Sequence, residues 1–263
     1  MRIAINGSLC ALLVGLCSIA QAADTSNSYP EILLDDIQFV LTEPARWQST
    51  EWKNAAWAGL AVVATAAFID APLRDEMRRQ PKDNSFMNIE RFGAEYSVGV
   101  VAGFYLVGSF ADNEKAVTVA QDSLTASIIA SGLITPAIKI AAGRSRPYEN
   151  VGTNDFNSLG AASPNSSFPS GHTTEAFALA SVISSHYEET WIKVTAFTVA
   201  GLVGLARTYH DAHFASDVLA GAFIGNWVGL SVVSHHQQSK GVNIMLRPEI
   251  TQDIIGLRLA GKF

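Results

Sequence analysis

Three polar motifs, each placed where an apolar run breaks off, constrain this chain more than any other feature. They are Lys139 with Arg146-Pro147, then Pro169-Ser170-Gly171-His172, then Arg207 with His213 and Asp217. The flanking runs, such as TASIIASGLITPAIKI, TTEAFALA, VTAFTVAGLVGLA and FASDVLAGAFIGNWVGL, are built from small and branched apolar residues and read as helices. A fold that uses all three motifs has to bring several helix ends into one corner. That points to an all-α fold, a helical bundle of about six core helices. The candidate helices lie near 53–69, 93–111, 117–141, 173–187, 191–207 and 214–234.

Each motif has an ordinary explanation when taken alone. Lys139 can snorkel at a helix end, and Arg146, past the helix stop expected at Gly143, can lie in solvent. Ser170 can cap a helix or hold an anion. Pro169 stiffens the entry, and Gly171 lets a ligand approach the free N–H groups at the positive end of the helix dipole. His172 then falls on the first turn. His213 and Asp217 share a helix face. They can be a capping ion pair, or a histidine whose tautomer the carboxylate fixes while the other nitrogen attacks. Arg207 ends the preceding helix.

Together the motifs supply fixed cations, two histidines, a carboxylate and a Ser-Gly turn, an inventory suited to a tetrahedral oxyanion. Fixed Lys and Arg donors stabilise charge that grows in a transition state when water is excluded. Arg offers a planar fork and Lys a point charge. His210 breaks the spacing and reads as a supporting or surface residue, and Glu175 as a first-turn dipole partner. His186, His235 and His236 lie in polar ends and carry no signal. No H-E-x-x-H or cysteine cluster suggests a metal.

With the motifs in this order, the chain resembles the phosphatidic acid phosphatase type 2 and vanadium haloperoxidase superfamily. The signature of that superfamily runs K-x6-RP, PSGH, SR-x5-H-x3-D. Here it reads K-IAAGRS-RP, PSGH and AR-TYHDA-H-FAS-D, with every spacing kept and Ala206 in place of the serine before Arg207. The resemblance implies a phosphoric ester hydrolase in which His213 is the nucleophile and forms a phosphohistidine. Asp217 would orient His213, and His172 would protonate the leaving oxygen and then activate water. Lys139, Arg146, Ser170, the Gly171 N–H and Arg207 would bind the phosphoryl oxygens. These roles need His172 protonated and His213 neutral at the working pH.

The resemblance implies no cofactor and no metal, with vanadate as an inhibitor. Vanadate would be a cofactor only in the haloperoxidase alternative, which the chain length disfavours. The expected substrate is a lipid phosphate: phosphatidate, phosphatidylglycerophosphate or an isoprenoid diphosphate. A soluble periplasmic non-specific acid phosphatase acting on small phosphate esters is the alternative. A non-catalytic envelope protein is disfavoured by the intact His172, His213 and Asp217.

Residues 1–22 read as an export signal peptide. Arg2 leads an apolar core, LCALLVGLCSIA, and Ala20-Gln21-Ala22 forms the cleavage site. Cys10 and Cys17 both fall inside it, so the cleaved chain has no disulfide. The net charge of −6, made more negative by loss of Arg2, disfavours nucleic acid. A polar N-terminal lead follows over 23–52, then a helical phosphatase domain over 53–236. In the tail, 237–263, NIMLRPEI and IIGLRLAGKF alternate and predict a short β-hairpin. Segment 70–92 reads as a charged connector. Segment 148–168 reads as a long loop rich in Gly, Ser and Asn, placed to roof the site and select substrates.

Charged residues make up 16% of the chain, against about 25% in ordinary soluble proteins. The longest apolar runs, AAWAGLAVVATAAFI and VLAGAFIGNWVGLSVV, stop short of a standard membrane span, and the mean hydropathy is only +0.19. If the helices span after an exported amino terminus, the first motif faces the cytoplasm together with the basic connector. If they do not, the whole site is periplasmic. The expectation is an enzyme exported to the bacterial cell envelope and associated with the inner membrane rather than soluble in the periplasm.

Overall fold

The computed structural model describes residues 29–81, 87–157 and 166–238, and the backbone alone of 243–250 and 255–262. Helices α1 (Tyr29–Thr42), α2 (Ser49–Phe68), α3 (Asp70–Arg79), α4 (Met87–Glu90) and α5 (Glu95–Phe110) come first. Helix α6 (Glu114–Ser127) continues through a π-helical stretch, Ile128–Ile134, into α7 (Thr135–Ala142). Then follow α8 (Gly171–His186), α9 (Thr190–Tyr209) and α10 (Ala215–Gln238). Strands β1 (Asn243–Ile250) and β2 (Ile255–Lys262) pair antiparallel, with Asn243 opposite Lys262. The export signal expected over 1–22 lies outside the described residues.

Local chemistry sets the helix ends that matter. Asn113 caps α6 by accepting the Ala116 N–H at 3.1 Å. Pro136 has no N–H to give the preceding turn, and the ladder re-registers through the π stretch directly before it. Gly143 ends α7 at φ 60°, a conformation that costs glycine little.

Helix α8 is the axis, packed between α9 and α10 with α6 on a third side. Its contact with α10 rests on a glycine at every fourth residue. A Cβ on Gly221 would stand 2.6 Å from the Ser170 carbonyl oxygen, one on Gly225 2.2 Å from that of Thr174, and one on Gly229 2.7 Å from that of Ala178. Backbone therefore meets backbone, as small-residue interfaces allow where apolar surroundings give helices no other drive to associate. We expect Gly225→Ala to force the two helices apart at a cost of about 1–3 kcal/mol. Because α8 carries Ser170 and His172, any activity that rests on those residues should fall with it. Thermal unfolding in detergent measures the first effect, and an unchanged midpoint would remove the close-packing role.

The polar lead expected over 23–52 is instead part of the domain from residue 29 onward. Val40 of α1 lies in the core with Val119, Ala126, Ile129, Ala178, Val182, Val228 and Val232. Just beyond α1, Glu43 accepts from Trp227 Nε1 at 2.9 Å. The alternation of acids along this segment hid the face that docks. The charged connector likewise contains α3 and α4, which hold the site from one side.

The protein buries many small and polar residues beside its apolar core and exposes many large apolar ones. Much of the interior is Ala, Ser, Thr and Gly with buried charges, while Phe68 and Phe110 are each 75% exposed and Trp57 and Trp191 69%. No residue of α2 is buried. Patches of this kind mark a membrane or a partner. Among the described residues, two helical stretches, Glu114–Ala142 and Ala215–Gln238, are long and apolar enough to cross a bilayer. The bent pair of α2 and α3 would make a third if it counts as one span.

Candidate functional site

The three motifs arrive at one end of the bundle: Lys139 from the last turn of α7, Ser170 to His172 from the start of α8, and Arg207 from the end of α9. His213 and Asp217 come from the entry to α10. Lys139 is buried, and its Nζ donates to the Ser166 carbonyl. The return bond runs from Ser166 Oγ to the Lys139 carbonyl at 2.9 Å. Lys139 lies within electrostatic range of Arg146, Arg207 and Asp217. Arg207 Nη1 donates to Glu90 Oε2 at 2.7 Å, and His210 Nδ1 sits 2.8 Å from the same oxygen. His210 therefore supports Arg207 through α4. The Nε of Arg207 is buried and has no hydrogen-bond partner among the described residues.

Ser170 is fully buried and caps α8 by position. Its Oγ accepts from Thr173 Oγ1 at 2.9 Å, and its N–H donates to the Asp217 carbonyl at 3.0 Å. At Gly171 an added Cβ would meet only Thr135 Cγ2, at 3.7 Å. Protein packing does not demand a glycine there, so access to the helix N-terminus is what its absent side chain preserves. Gly93 is different, because a Cβ on it would stand 2.3 Å from the His172 carbonyl oxygen. Close packing of Gly93 therefore fixes the start of α8.

The centre of the site is a residue the motifs pass over. Arg144, inside the spacer between Lys139 and Arg146, is 1% exposed. Its guanidinium donates to Asp217 Oδ1 at 2.6 Å, Ser216 Oγ at 2.7 Å and Asp70 Oδ2 at 2.8 Å. It also bonds the Thr153 carbonyl and lies 4.2 Å from the centroid of the Phe214 ring. Asp70 in turn accepts the Ser216 N–H at 2.9 Å. One cation thus ties two fully buried carboxylates together and fixes the entry to α10. Asp70 ends the apolar run AAFI, and that interruption was the available sequence signal.

Asp217 does not bond His213 directly. Their nearest atoms, Oδ2 and Nδ1, are 3.8 Å apart, beyond hydrogen-bond length. Ser167 stands between them, donating through Oγ to Asp217 Oδ2 at 2.5 Å and lying 3.4 Å from His213 Nδ1. With that proton committed to Asp217, Ser167 Oγ can accept only from Nδ1–H, which leaves Nε2 as the free nitrogen. The Phe214 N–H adds a further bond to Asp217 Oδ2 at 2.8 Å. His213 is 3% exposed.

Arg146 is half-buried beside Tyr148, its guanidinium carbon 5.9 Å from the ring centroid. Helix α3 straps this loop down. Arg74 and Arg78 both donate to the Pro147 carbonyl, at 2.7 and 2.9 Å, and Arg78 bonds Asp211 at 2.6 Å. Within the loop expected to roof the site, residues 148–157 fold back through an Arg144–Phe156 bridge, and 158–165 lie outside the described residues. Ala206 is fully buried in α9 and brings no polar group to Arg207. Glu175, expected as a first-turn dipole partner, is buried and accepts from Ser127 Oγ at 2.7 Å.

Both site histidines lie outside the two long apolar helices, and the protein's own groups keep both neutral near pH 7. Burial, then the Arg207 cation and His213, push His172 down to about 3, with Glu90 opposing. Burial pushes His213 down to about 4 against the pull of Asp217, with Lys139 and Arg207 adding to the fall. The expected protonated His172 is therefore not a property of the protein alone. A bound anion would offset Arg207 and Arg146, two of the groups that hold His172 down.

These depressed values have a consequence for stability. A histidine that titrates lower when folded binds fewer protons folded than unfolded between the two values. Its contribution is complete above the ordinary value of 6.5 and is lost as pH falls toward about 3 to 4. Stability should thus decline below about pH 6.5, and the decline should be shallower in a His172→Gln variant. Thermal midpoints from pH 7 to pH 4 check this, and identical slopes would contradict it.

Parts of the chain are similar in sequence to proteins named lipid A 1-phosphatase. A lipid A 1-phosphatase of Porphyromonas gingivalis is 45% identical over 65 residues, which are 24% of this chain and 15% of that protein. A lipid A 1-phosphatase of Rhizobium etli is 32% identical over 112 residues, 41% of this chain and 46% of the relative. One of Rhizobium johnstonii is 27% identical over 203 residues, 71% of this chain and 80% of the relative. The chain thus spans less than half the length of the first two. Residues 123–240, which contain every motif named above, match the PAP2 superfamily.

Proposed function

We propose that the protein is a metal-independent phosphatase of the membrane, releasing phosphate from a phosphorylated lipid through a phosphohistidine. The observation that carries this is the convergence of Lys139, Arg146 and Arg207 with two neutral histidines at the amino end of α8. There the Arg207 Nε is buried and unpaired among the described residues. A phosphoryl group would supply the missing acceptor. The cations, with the Gly171 N–H and Ser170, would stabilise the equatorial oxygens.

In the proposed reaction His213 Nε2 attacks phosphorus. The N–P bond forms as the P–O bond to the lipid breaks, and His172 gives the leaving oxygen its proton. His172 acquires that proton when the bound phosphate offsets its cationic neighbours. In the second step His172 removes a proton from water, the water oxygen attacks phosphorus and the N–P bond breaks. Asp217 acts through Ser167 to hold the His213 tautomer, and Arg144 holds Asp217.

The exposed apolar helix faces and the two candidate spans support a lipid substrate over a soluble ester. The names of the relatives add lipid A 1-phosphate to phosphatidate, phosphatidylglycerophosphate and isoprenoid diphosphates. We place the enzyme in the bacterial envelope, at the inner membrane. The test is phosphate release by the detergent-purified protein from these lipids and from p-nitrophenyl phosphate, with and without vanadate. Vanadate-sensitive release from a lipid is expected. Release from the small ester alone would replace this reading with that of a non-specific acid phosphatase.

A further inference from the structure

The far end of α10 carries a second polar cluster that phosphoryl transfer does not use. His235 and His236, together with His186, read in the sequence as polar helix ends without a role. Folded, they meet two buried carboxylates from other helices. Asp36 of α1 is 1% exposed and Asp122 of α6 2%. His235 Nδ1 lies 2.8 Å and His236 Nε2 3.0 Å from the Asp36 carboxylate. The three ligating atoms lie within 4.8 Å of one another.

What lies behind these atoms decides the reading. The other nitrogen of His236, Nδ1, is 2.7 Å from Asp122 Oδ1, and Asp122 also holds His186 Nε2 at 2.7 Å. The other nitrogen of His235, Nε2, is 3.4 Å from Asp35 Oδ2. Each imidazole thus turns one nitrogen to a common point and the other to an outer carboxylate. Metal-binding histidines are oriented and made more basic in this way. A stacked Phe39 ring, 4.0 Å away, fixes the plane of His235.

A neutral imidazole has one N–H and can donate to only one of the two carboxylates that His236 faces. The arrangement therefore calls for positive charge between His236 and Asp36, either a second proton on His236 or a bound cation. We propose that it is a divalent transition metal ion held by Asp36, His235 and His236. Two imidazoles and a carboxylate suit zinc, whose bonds of roughly 2.0–2.2 Å need only a slight opening of the present spacings.

The ion would clamp α1 to the end of α10, about 27 Å along that helix from Asp217. The role is structural, and it stands whether or not the phosphatase reading does. The outer carboxylates Asp122 and Asp35 would stay off the metal, and solvent would complete its shell.

The experiment uses the full chain in detergent, purified without a polyhistidine tag, stripped with chelator and then given zinc. About one zinc per chain should survive dialysis and raise the unfolding midpoint by roughly 5 °C. Both effects should be lost in Asp36→Asn and in His236→Gln, and kept in His213→Ala. No retained zinc in the natural chain, or equal retention in the first two variants, would overturn the proposal. Should those variants fail to fold, zinc K-edge absorption of the natural chain decides. Two imidazole nitrogens in the shell support the site, and a shell without imidazole overturns it.

Discussion

Replacing His213 with alanine is expected to lower phosphate release by at least about 10,000-fold while leaving the fold in place. The activity loss follows from chemistry. Lys139, Arg146 and Arg207 would still bind the phosphoryl group, but His172, protonated once phosphate is bound, cannot take over the attack. Survival of the fold follows from the bonds around Asp217. That carboxylate keeps Arg144, Ser167 and the Phe214 N–H when the imidazole is removed. No buried charge is therefore orphaned. Lipid binding in the variant should be nearly unchanged, and circular dichroism should match. Activity within tenfold of the natural protein would show that His213 does not carry the reaction.

Replacing Arg144 with methionine should do the opposite, damaging the fold first. Its side chain neutralises Asp70 and Asp217, both 0% exposed, and removing it leaves two buried carboxylates side by side. Breaking a buried pair in this way costs about 3–5 kcal/mol. The unfolding midpoint should fall by roughly 10 °C or more. Activity should fall as well, because Asp217 loses the partner that fixes its orientation. The cause is testable by a second change. Adding Asp70→Asn to Arg144→Met removes one of the stranded charges, so the double variant should be more stable than the two single costs predict. Strict additivity would mean that Arg144 acts through packing against Phe214 instead.

The contrast between these two residues explains how far the sequence could be read. His213, Asp217, His172 and the three cations stand at helix ends with fixed spacing, so a linear pattern identifies them. Arg144 lies in the loop after α7 and Asp70 opens α3, with no shared spacing. Ser167 sits between His213 and Asp217 only because the chain before α8 folds back along Arg144, which accepts the Ser167 N–H at 2.7 Å. A three-dimensional relay of this kind has no period to detect.

The helices themselves were legible from their apolar runs, but two adjoining segments were not. Helix α1 is rich in acids, and Asp36 is silent until His235 and His236 lie beside it. Segment 70–92 looked like a connector because Arg74 and Arg78 are charged, yet those charges are spent on the Pro147 carbonyl and Asp211. In both cases polar residues face inward to partners far along the chain, which hydropathy scores as surface.

The most direct test of the phosphohistidine route is to trap it. The purified protein is mixed with a lipid monophosphate radiolabelled at phosphorus, quenched in alkaline detergent within milliseconds, digested and mapped. Label that is stable to base, labile to acid and located on His213 is the predicted result. It should be absent from His213→Ala and should persist longer in His172→Ala, which lacks the base for the second step. Lipid turnover with no label on the protein, or label on any other residue, would contradict the proposed mechanism.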